Sequence, residues 1–410
     1  MNDVQRRRAF DAGALKQQFP GLANPQLHYL DSAATAQVPE IVLAALRSFE
    51  VDARANVHEG LHGRARAATE AYYEARARVA RFLGAHSDQE IIFTYGTTSS
   101  INLLAYSFGE LLAPGDEILI SLLEHHSNMV PWQRLAERRG VVLRLLPMTA
   151  DGRLDLDQLE TSVTDRCRLV ALTHCSNVTG AVTDVARIMT AARAVGAKVM
   201  LDGAQRAPHG PLDVCELGVD FYAFSGHKTY GPTGIGVLWG RHELLDVMPP
   251  FMTGGQMIEE VTPTRATFRM PPRRFEAGTP PIGAAIGLGV ALQWMQALDW
   301  DAIRAHESRL TRRLIEGLIG ITGVRVFGPL DMQDRRGVVS FAVDGVSAEE
   351  TCRFLDQKGV ALRGGYHCAQ PLLRTFGVNG AARASLAPYI LDADIDALLD
   401  GVEELVQRRG

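Results

Sequence analysis

Through the middle of the chain, short runs of aliphatic and β-branched residues alternate with segments whose apolar positions recur every three or four residues. The β-rich runs are DEILISL (116–122), VVLRLLP (141–147), RLVALTH (168–174), AKVMLD (197–202), VDFYAFSG (219–226) and GIGVLWG (234–240). Segments 127–139 and 184–195 carry the helical spacing. This alternation predicts an α/β fold, a mostly parallel sheet covered by helices on both faces. In such sheets, polar residues at the carboxyl ends of the strands face the ligand crevice. Here those ends hold His125 and His126, His174 through Asn177, Asp202 through Gln205, and Ser225, His227 and Lys228. Around MPPRRFEAGTPP (270–281) the pattern gives way to proline and glycine. Beyond it the chain reads mostly helical, with GVVSFAVDG (337–345) and GVALRGG (359–365) as strands. We expect a large domain over residues 25–285 and a smaller α+β C-terminal domain over 286–410, joined by residues 1–24.

Composition narrows the picture without naming a chemistry. The 410 residues suffice for two domains, and 46% hydrophobic with 22% charged content is ordinary for a soluble globular protein. A net charge of −5 argues against a nucleic-acid binder. The basic cluster Arg6–Arg8 reads as a solvated tail, and no apolar h-region follows it, so no secretory signal is expected. No apolar run approaches the roughly 18 residues of a membrane span. The five cysteines, Cys167, Cys175, Cys215, Cys352 and Cys368, are widely spaced and form no C-x-x-C pair. That spacing predicts neither a disulfide framework nor a zinc ribbon, and it fits a reducing cytoplasm.

The chemistry begins at SGHKTYGPTG (225–234), where Lys228 stands between a histidine and glycines just after an apolar run. A lysine at a strand end can form a Schiff base when burial or neighbouring charge lowers its pKa. Alone, it would read first as a surface lysine in a Gly-rich turn. GTTSS (96–100) precedes a helical pattern, and a helix start suits a phosphate, though the same residues make a good N-cap. Asp202 ends a strand and could pair with a pyridinium nitrogen, or cap a following helix. His125 could stack on an aromatic ring or be a polar loop residue.

The order of these pieces is specific. YLDSAATA (29–36), GTT (96–98), EHHSNMVPW (124–132), SNVTG (176–180), DGAQ (202–205), FSGHKTYGPTGIGVL (224–238), FEAGTP (275–280), RGGYHCAQPLL (363–373) and RASLAPY (383–389) together span most of the chain. In this order they resemble the fold-type I pyridoxal 5'-phosphate (PLP) enzymes of the class V aminotransferase group. Within it, the match is to cysteine desulfurases of the SufS/CsdA type.

The resemblance implies a seven-stranded-type sheet in a PLP-binding large domain and a nucleophile loop in the small one. It implies that Lys228 carries the PLP Schiff base and then moves the substrate's Cα proton. Thr97, Thr98, Ser225 and His227 would hold the phosphate, Asp202 the pyridine nitrogen and Gln205 the ring hydroxyl. His125 would lie over the ring, and Asn177 and Ala33 would complete ring and substrate contacts. Thr279 would reach the phosphate of a partner subunit, which implies a homodimer. Arg383 would bind the α-carboxylate, since a planar guanidinium can make two parallel hydrogen bonds to it. Cys368 would be the nucleophile, helped by His367 or another cationic site, although a lone cysteine is more commonly an inert packing residue. The implied reaction converts L-cysteine to L-alanine and passes sulfur to a SufE-like acceptor for iron–sulfur assembly. L-Selenocysteine is the alternative substrate.

Three features stand apart. Relatives usually read VHRG and RGTTE where this chain has VHEG and YGTTS, so Glu59, Tyr95 and Ser99 depart from the family, and the changes could compensate one another in one charged network or across a dimer interface. HEGLH (58–62) fits the H-E-x-x-H pattern of zinc hydrolases, but Gly60 and Gly63 disfavour the helix that motif needs. No metal is therefore expected. GAAIGLGVA (283–291) loosely resembles a dinucleotide loop and reads better as close helix packing.

Overall fold

A computed structural model describes residues 10–408; the Arg6–Arg8 cluster lies outside the described residues. Seven strands form the main sheet: β1 (Ile91–Thr94), β2 (Glu117–Ser121), β3 (Val142–Leu146), β4 (Cys167–Thr173), β5 (Lys198–Asp202), β6 (Phe221–Ser225) and β7 (Gly236–Gly240). Their spatial order is β1-β7-β6-β5-β4-β2-β3. β3, β2, β4, β5 and β6 pair in parallel, while β7 is antiparallel to both β6 and β1. Two reversals restore direction, so the carboxyl end of β1 opens on the same edge as the parallel strands. Every residue of β1, β2, β6 and β7 is buried. That is why these strands read as continuous apolar runs and not as alternating ones. β3 sits at the edge and leaves Val142 and Leu145 exposed.

The helices that matter for position are α1 (Glu40–Ser48), α2 (Gly63–Leu83), α3 (Thr97–Ser107), α4 (Val130–Arg139), α5 (Val185–Val195), α6 (Ile282–Gln296) and α7 (Trp300–Gly320). Their ends follow local chemistry. Asp184 caps α5 by accepting from the Arg187 N–H, and Gly196 closes it in the left-handed conformation. α6 packs against α2 and α1. A Cβ on Gly289 would come within 2.9 Å of the Ala75 Cα, so the glycines of 283–291 serve close helix packing as expected. The division expected near residue 286 therefore falls inside α6, a helix continuous with the packing of the large sheet.

A second, antiparallel sheet of four strands, in the order Val324–Phe327, Val338–Val343, Ala381–Ser385, Arg363–Gly365, occupies the C-terminal part. α7, α8 (Ala348–Asp356) and α9 (Asp392–Gln407) pack with it. The segment before residue 30 joins this part. Leu15 and Phe19 are buried, Lys16 and His28 both reach Asp394 at 3.2 and 2.8 Å, and His28–Tyr29 pairs in parallel with Val360–Ala361.

HEGLH is not helical. α2 starts at Gly63 with His62 as its N-cap, and His58 sits in a turn with φ of 74°. No group of histidine, cysteine, aspartate or glutamate able to hold a metal occurs among the described residues. Glu59 faces neither Tyr95 nor Ser99 in an ion pair; it lies 3.6 Å from Arg269 and 3.9 Å from Arg273. Both arginines follow an exposed hairpin (Ile258–Val261, Ala266–Phe268).

Candidate active site

A cavity of about 280 Å³ opens where the carboxyl ends of the main strands meet the antiparallel sheet. Its deep wall is built by β5 and β6. Lys228 ends the short 3-10 turn Gly226–Lys228 that follows β6. Glycine is required at 226, because a Cβ there would lie 2.6 Å from Ile235 Cγ2 and 3.0 Å from the Pro232 carbonyl. Thr229 locks the turn by donating its hydroxyl to the carbonyls of Ser225 and Gly226. Burial lowers the Lys228 ammonium to about 8, against the opposing pull of Asp202. An appreciable fraction is therefore the free amine near neutral pH, the form that can attack a carbonyl.

Asp202, at the tip of β5, is buried and accepts from the Ala204 N–H at 2.9 Å. Burial raises its pKa, and no cationic side chain lies within 4.0 Å of it among the described residues. A buried carboxylate with spare acceptor capacity suits a cationic ring nitrogen. Gln205 donates to the Ala33 carbonyl at 2.8 Å, and Ala33 N–H donates to Ser385 Oγ at 2.8 Å, which fixes the Ala33 loop over this wall.

At the other end stands the N-terminus of α3. Its cap, Gly96, has no side chain to satisfy the first turn and adopts φ of 145°. The Thr97 N–H and hydroxyl meet Ser225 Oγ at 2.9 and 2.7 Å, and Thr98 Oγ1 lies 2.6 Å from Ser127 Oγ. Hydroxyls, open helix N–H groups and the adjoining imidazole of His227 make a donor set for a phosphate. Burial lowers His227 to about 4, so it is neutral at pH 7 and can still donate one N–H. The pattern as a whole fits PLP: amine, carboxylate and phosphate donors occupy separate walls of one cavity.

His125 also lines the cavity. The Ser127 N–H donates to its Nδ1 at 3.1 Å, which leaves the ring proton on Nε2. Burial, with Lys228 and His126 nearby, lowers it to about 3. Just before it, Glu124 is fully buried and takes hydrogen bonds from Ser121, Asn128 and the Thr173 N–H at 2.5, 2.6 and 3.0 Å. These bonds tie the His125 loop to β4.

The antiparallel sheet supplies the remaining wall. Arg383 is buried, its Nη1 donating to the Asn177 carbonyl at 3.0 Å and its Nη2 lying 3.6 Å from Asp31. Its Nε is buried with no partner, so the Nε–Nη2 edge presents two donors for an incoming carboxylate. Cys368 is exposed at the mouth, in a loop where His367 and Cys368 both take positive φ, 50° and 54°. Asn177 Nδ2 donates to the His367 carbonyl, and the His126 N–H donates to the Cys368 carbonyl, at 2.8 and 2.7 Å. His367 does not supply a positive charge. It is buried, donates from Nε2 to the Ala381 carbonyl and is pushed down to about 3 by burial. The cations on this wall are Arg383 and Arg363, the latter held by Asp31 at 3.1 Å.

Lys228, Cys368, His125, Thr97, Thr98, Asn177, Asp202, Gln205, Ser225, His227, Arg383 and Ala33 thus all line one cavity. Thr279 does not; it is exposed in the loop before α6. That loop is anchored by Glu276, which takes both Arg76 Nη groups at 2.7 Å and the Tyr72 hydroxyl at 3.0 Å. The cavity also includes Cys175 and, beyond the residues singled out from the sequence, Ser127, Thr173 and Arg363. Ser127 lies inside the quoted EHHSN run and Arg363 opens RGGYHC, so position in a motif was their available signal. Cys167 and Cys175 are buried, with burial pushing both thiols to about 11, in keeping with packing roles.

The sequence pattern of the family described as Aminotransferase class-V matches residues 28–398. A cysteine desulfurase of Dickeya dadantii (strain 3937) is 49% identical over 381 residues, 92% of each chain. The crystal structure of the cysteine desulfurase CsdA (S-sulfonic acid) from Escherichia coli superposes with a TM-score of 0.91 at 42% identity, covering 97% of this chain and 99% of that one. A C-DES variant with glycine covalently linked to its PLP cofactor gives 0.81 at 25% identity, over 95% of this chain and 99% of that one. With a match over nearly its whole length in both sequence and structure, the chain belongs to the aminotransferase class-V family.

Proposed function

We propose that the chain is a PLP-dependent cysteine desulfurase, converting L-cysteine to L-alanine and leaving the sulfur as a persulfide on Cys368. One observation carries the reading: a buried lysine of lowered pKa, a buried arginine whose Nε has no partner and an exposed thiol share one cavity. The named relatives support it. Lys228 would hold PLP through its ε-amine, Asp202 its ring nitrogen, and Thr97, Thr98, Ser225 and His227 its phosphate. When bound, PLP withdraws electrons from the substrate's Cα and so weakens the bonds around it.

The remaining steps belong to side chains of this chain. Arg383 grips the substrate α-carboxylate and fixes which Cα bond faces Lys228. The Lys228 amine takes the Cα proton and can later return it, because an amine titrating near 8 both accepts and releases a proton at physiological pH. The Cys368 thiolate attacks the substrate Sγ; a sulfur–sulfur bond forms as the Sγ–Cβ bond breaks, and the three-carbon remainder leaves as alanine after protonation. Exposure of Cys368 then leaves the persulfide open to an acceptor. L-Selenocysteine presents the same carboxylate and Cα and belongs to the same substrate class.

The wider setting follows the same reading. The chain works as a cytoplasmic homodimer in which Thr279 of each subunit reaches the other's phosphate site, passing sulfur to a SufE-like protein for iron–sulfur assembly. Supporting the dimer, Tyr95, Met252, Val261, Phe268 and Met270 are exposed apolar side chains, and Tyr95 and Met252 flank the same small pocket as Pro280, next to Thr279. The small domain, expected over residues 286–410, takes up the chain beyond α6 together with the N-terminal segment, the buried Leu15 and Phe19 supporting that attachment. Purified protein supplied with PLP, L-cysteine and a reductant should release alanine and sulfide in equal amounts. No alanine from a protein that has bound PLP would remove the desulfurase reading.

A further inference from the structure

Ser127 touches both halves of the cofactor site, yet nothing in the reaction above uses it. Its N–H donates to His125 Nδ1 at 3.1 Å. Its hydroxyl lies 3.0 Å from the same nitrogen and 2.6 Å from Thr98 Oγ1. Thr98 belongs to the first turn of α3, an eleven-residue helix whose glycine cap has no side chain of its own to offer that turn, where the Thr97 N–H goes instead to Ser225 Oγ. The hydroxyl of Ser127 has one proton to give. With the backbone N–H already on Nδ1, the short contact to Thr98 is where that proton, or the one from Thr98, is shared.

We infer that Ser127 is a positioning residue that joins the phosphate-binding end of the cofactor site to the imidazole over its ring, through the chain Thr98–Ser127–His125. This rests on the PLP reading above. When an anion takes the Thr98 hydroxyl proton, Thr98 Oγ1 becomes an acceptor and Ser127 donates to it. Ser127 is thereby fixed, and its N–H holds the His125 ring with Nε2–H as the only ring donor. The phosphate thus helps set the imidazole, and the imidazole loop helps hold the phosphate. A merely structural serine would act differently, since its loss would weaken the fold whether or not a phosphate were bound.

The test compares wild type with Ser127→Ala using two probes, PLP and pyridoxal, which lacks the phosphate. The apparent dissociation constant of each is measured on protein freed of cofactor, together with the thermal midpoint of that cofactor-free protein. We expect Ser127→Ala to weaken PLP about five- to tenfold, the scale of one lost hydrogen bond between neutral groups, and pyridoxal by less than about twofold. The midpoint of the cofactor-free protein should stay within about 2 °C of wild type, as for a surface substitution without a structural role. Equal weakening of both probes, unchanged PLP binding, or a fall of the cofactor-free midpoint by several degrees would each overturn the inference. A wild-type protein that binds no PLP would instead overturn the reading on which it rests.

Discussion

The two walls of the cavity are built in opposite ways. The Lys228 and Asp202 wall lies at the tips of fully buried parallel strands, with each turn fixed by a close approach such as Gly226 against Ile235 and Pro232. The Cys368 wall is a loop on a small antiparallel sheet, exposed at its thiol and pinned by single hydrogen bonds from His126 and Asn177. The difference follows the work each does. The low-dielectric core lowers Lys228 toward its free amine, and it raises Asp202, a cost that a cationic ring nitrogen beside the carboxylate would offset. A group that must hand over an atom has to meet solvent or a partner, and so gives up that shelter. Arg383 joins the two, buried like the first wall but carried by the sheet of the second.

Substitutions that strike each wall separately sharpen this contrast. Lys228→Ala should have the largest effect, lowering alanine formation by about 10³-fold or more, since both cofactor attachment and proton transfer are lost. The check is alanine assayed alongside retained PLP; activity within tenfold of wild type would move the essential amine elsewhere. Arg383→Ala removes a charge-assisted two-point contact and should raise the KM for L-cysteine about 10- to 100-fold while PLP stays bound. A fall in kcat with unchanged KM would assign Arg383 to the chemistry and not to binding.

The buried wall also predicts a pH dependence. Protonated Lys228 cannot attack the PLP aldehyde, and its pKa is lowered to about 8, so capture of PLP by cofactor-free protein speeds up as pH rises through 8. Between pH 7 and 9 the free-amine fraction grows about tenfold for a single group of that pKa, against continued rise to above pH 10 for an unshifted lysine. Stopped-flow absorbance of PLP binding reads the midpoint directly. The smallest effect belongs to the pinned loop. His126→Ala deletes the ring nitrogen that accepts from the Gln370 N–H at 3.2 Å, one modest hydrogen bond, and should slow alanine release about threefold to tenfold with PLP affinity unchanged.

The same contrast governs what could be read before the fold was seen. The main sheet was legible because its strands, the edge strand β3 apart, are largely buried on both faces and therefore stand out as apolar runs, and the residues at their tips fell where the sheet's geometry puts ligands. The small sheet was only half legible. Ala381–Ser385 reads AARAS, weak strand formers around a buried arginine, and Val324–Phe327 is a half-exposed edge of only four residues, too short a run to stand out. The hydrogen bond of His367 could not be read, because its carbonyl partner, Ala381, lies fourteen residues on in a separate strand. Glu59 likewise meets Arg269 and Arg273, contacts more than two hundred residues along the chain that no local pattern announces. HEGLH failed as a metal motif for a reason the sequence did hold, its glycines, which leave His62 as the cap of α2 and not a residue within it.

The most direct test of this division of labour is a single measurement on Cys368→Ala loaded with PLP: alanine formed from L-cysteine, read against the shift of the PLP absorbance on adding the substrate. The expected result is an absorbance change like that of wild type, showing that the buried wall still binds cofactor and amino acid, with alanine reduced to background. Alanine at the wild-type rate would show that sulfur leaves without the exposed thiol, and the assignment of Cys368 as nucleophile would be wrong.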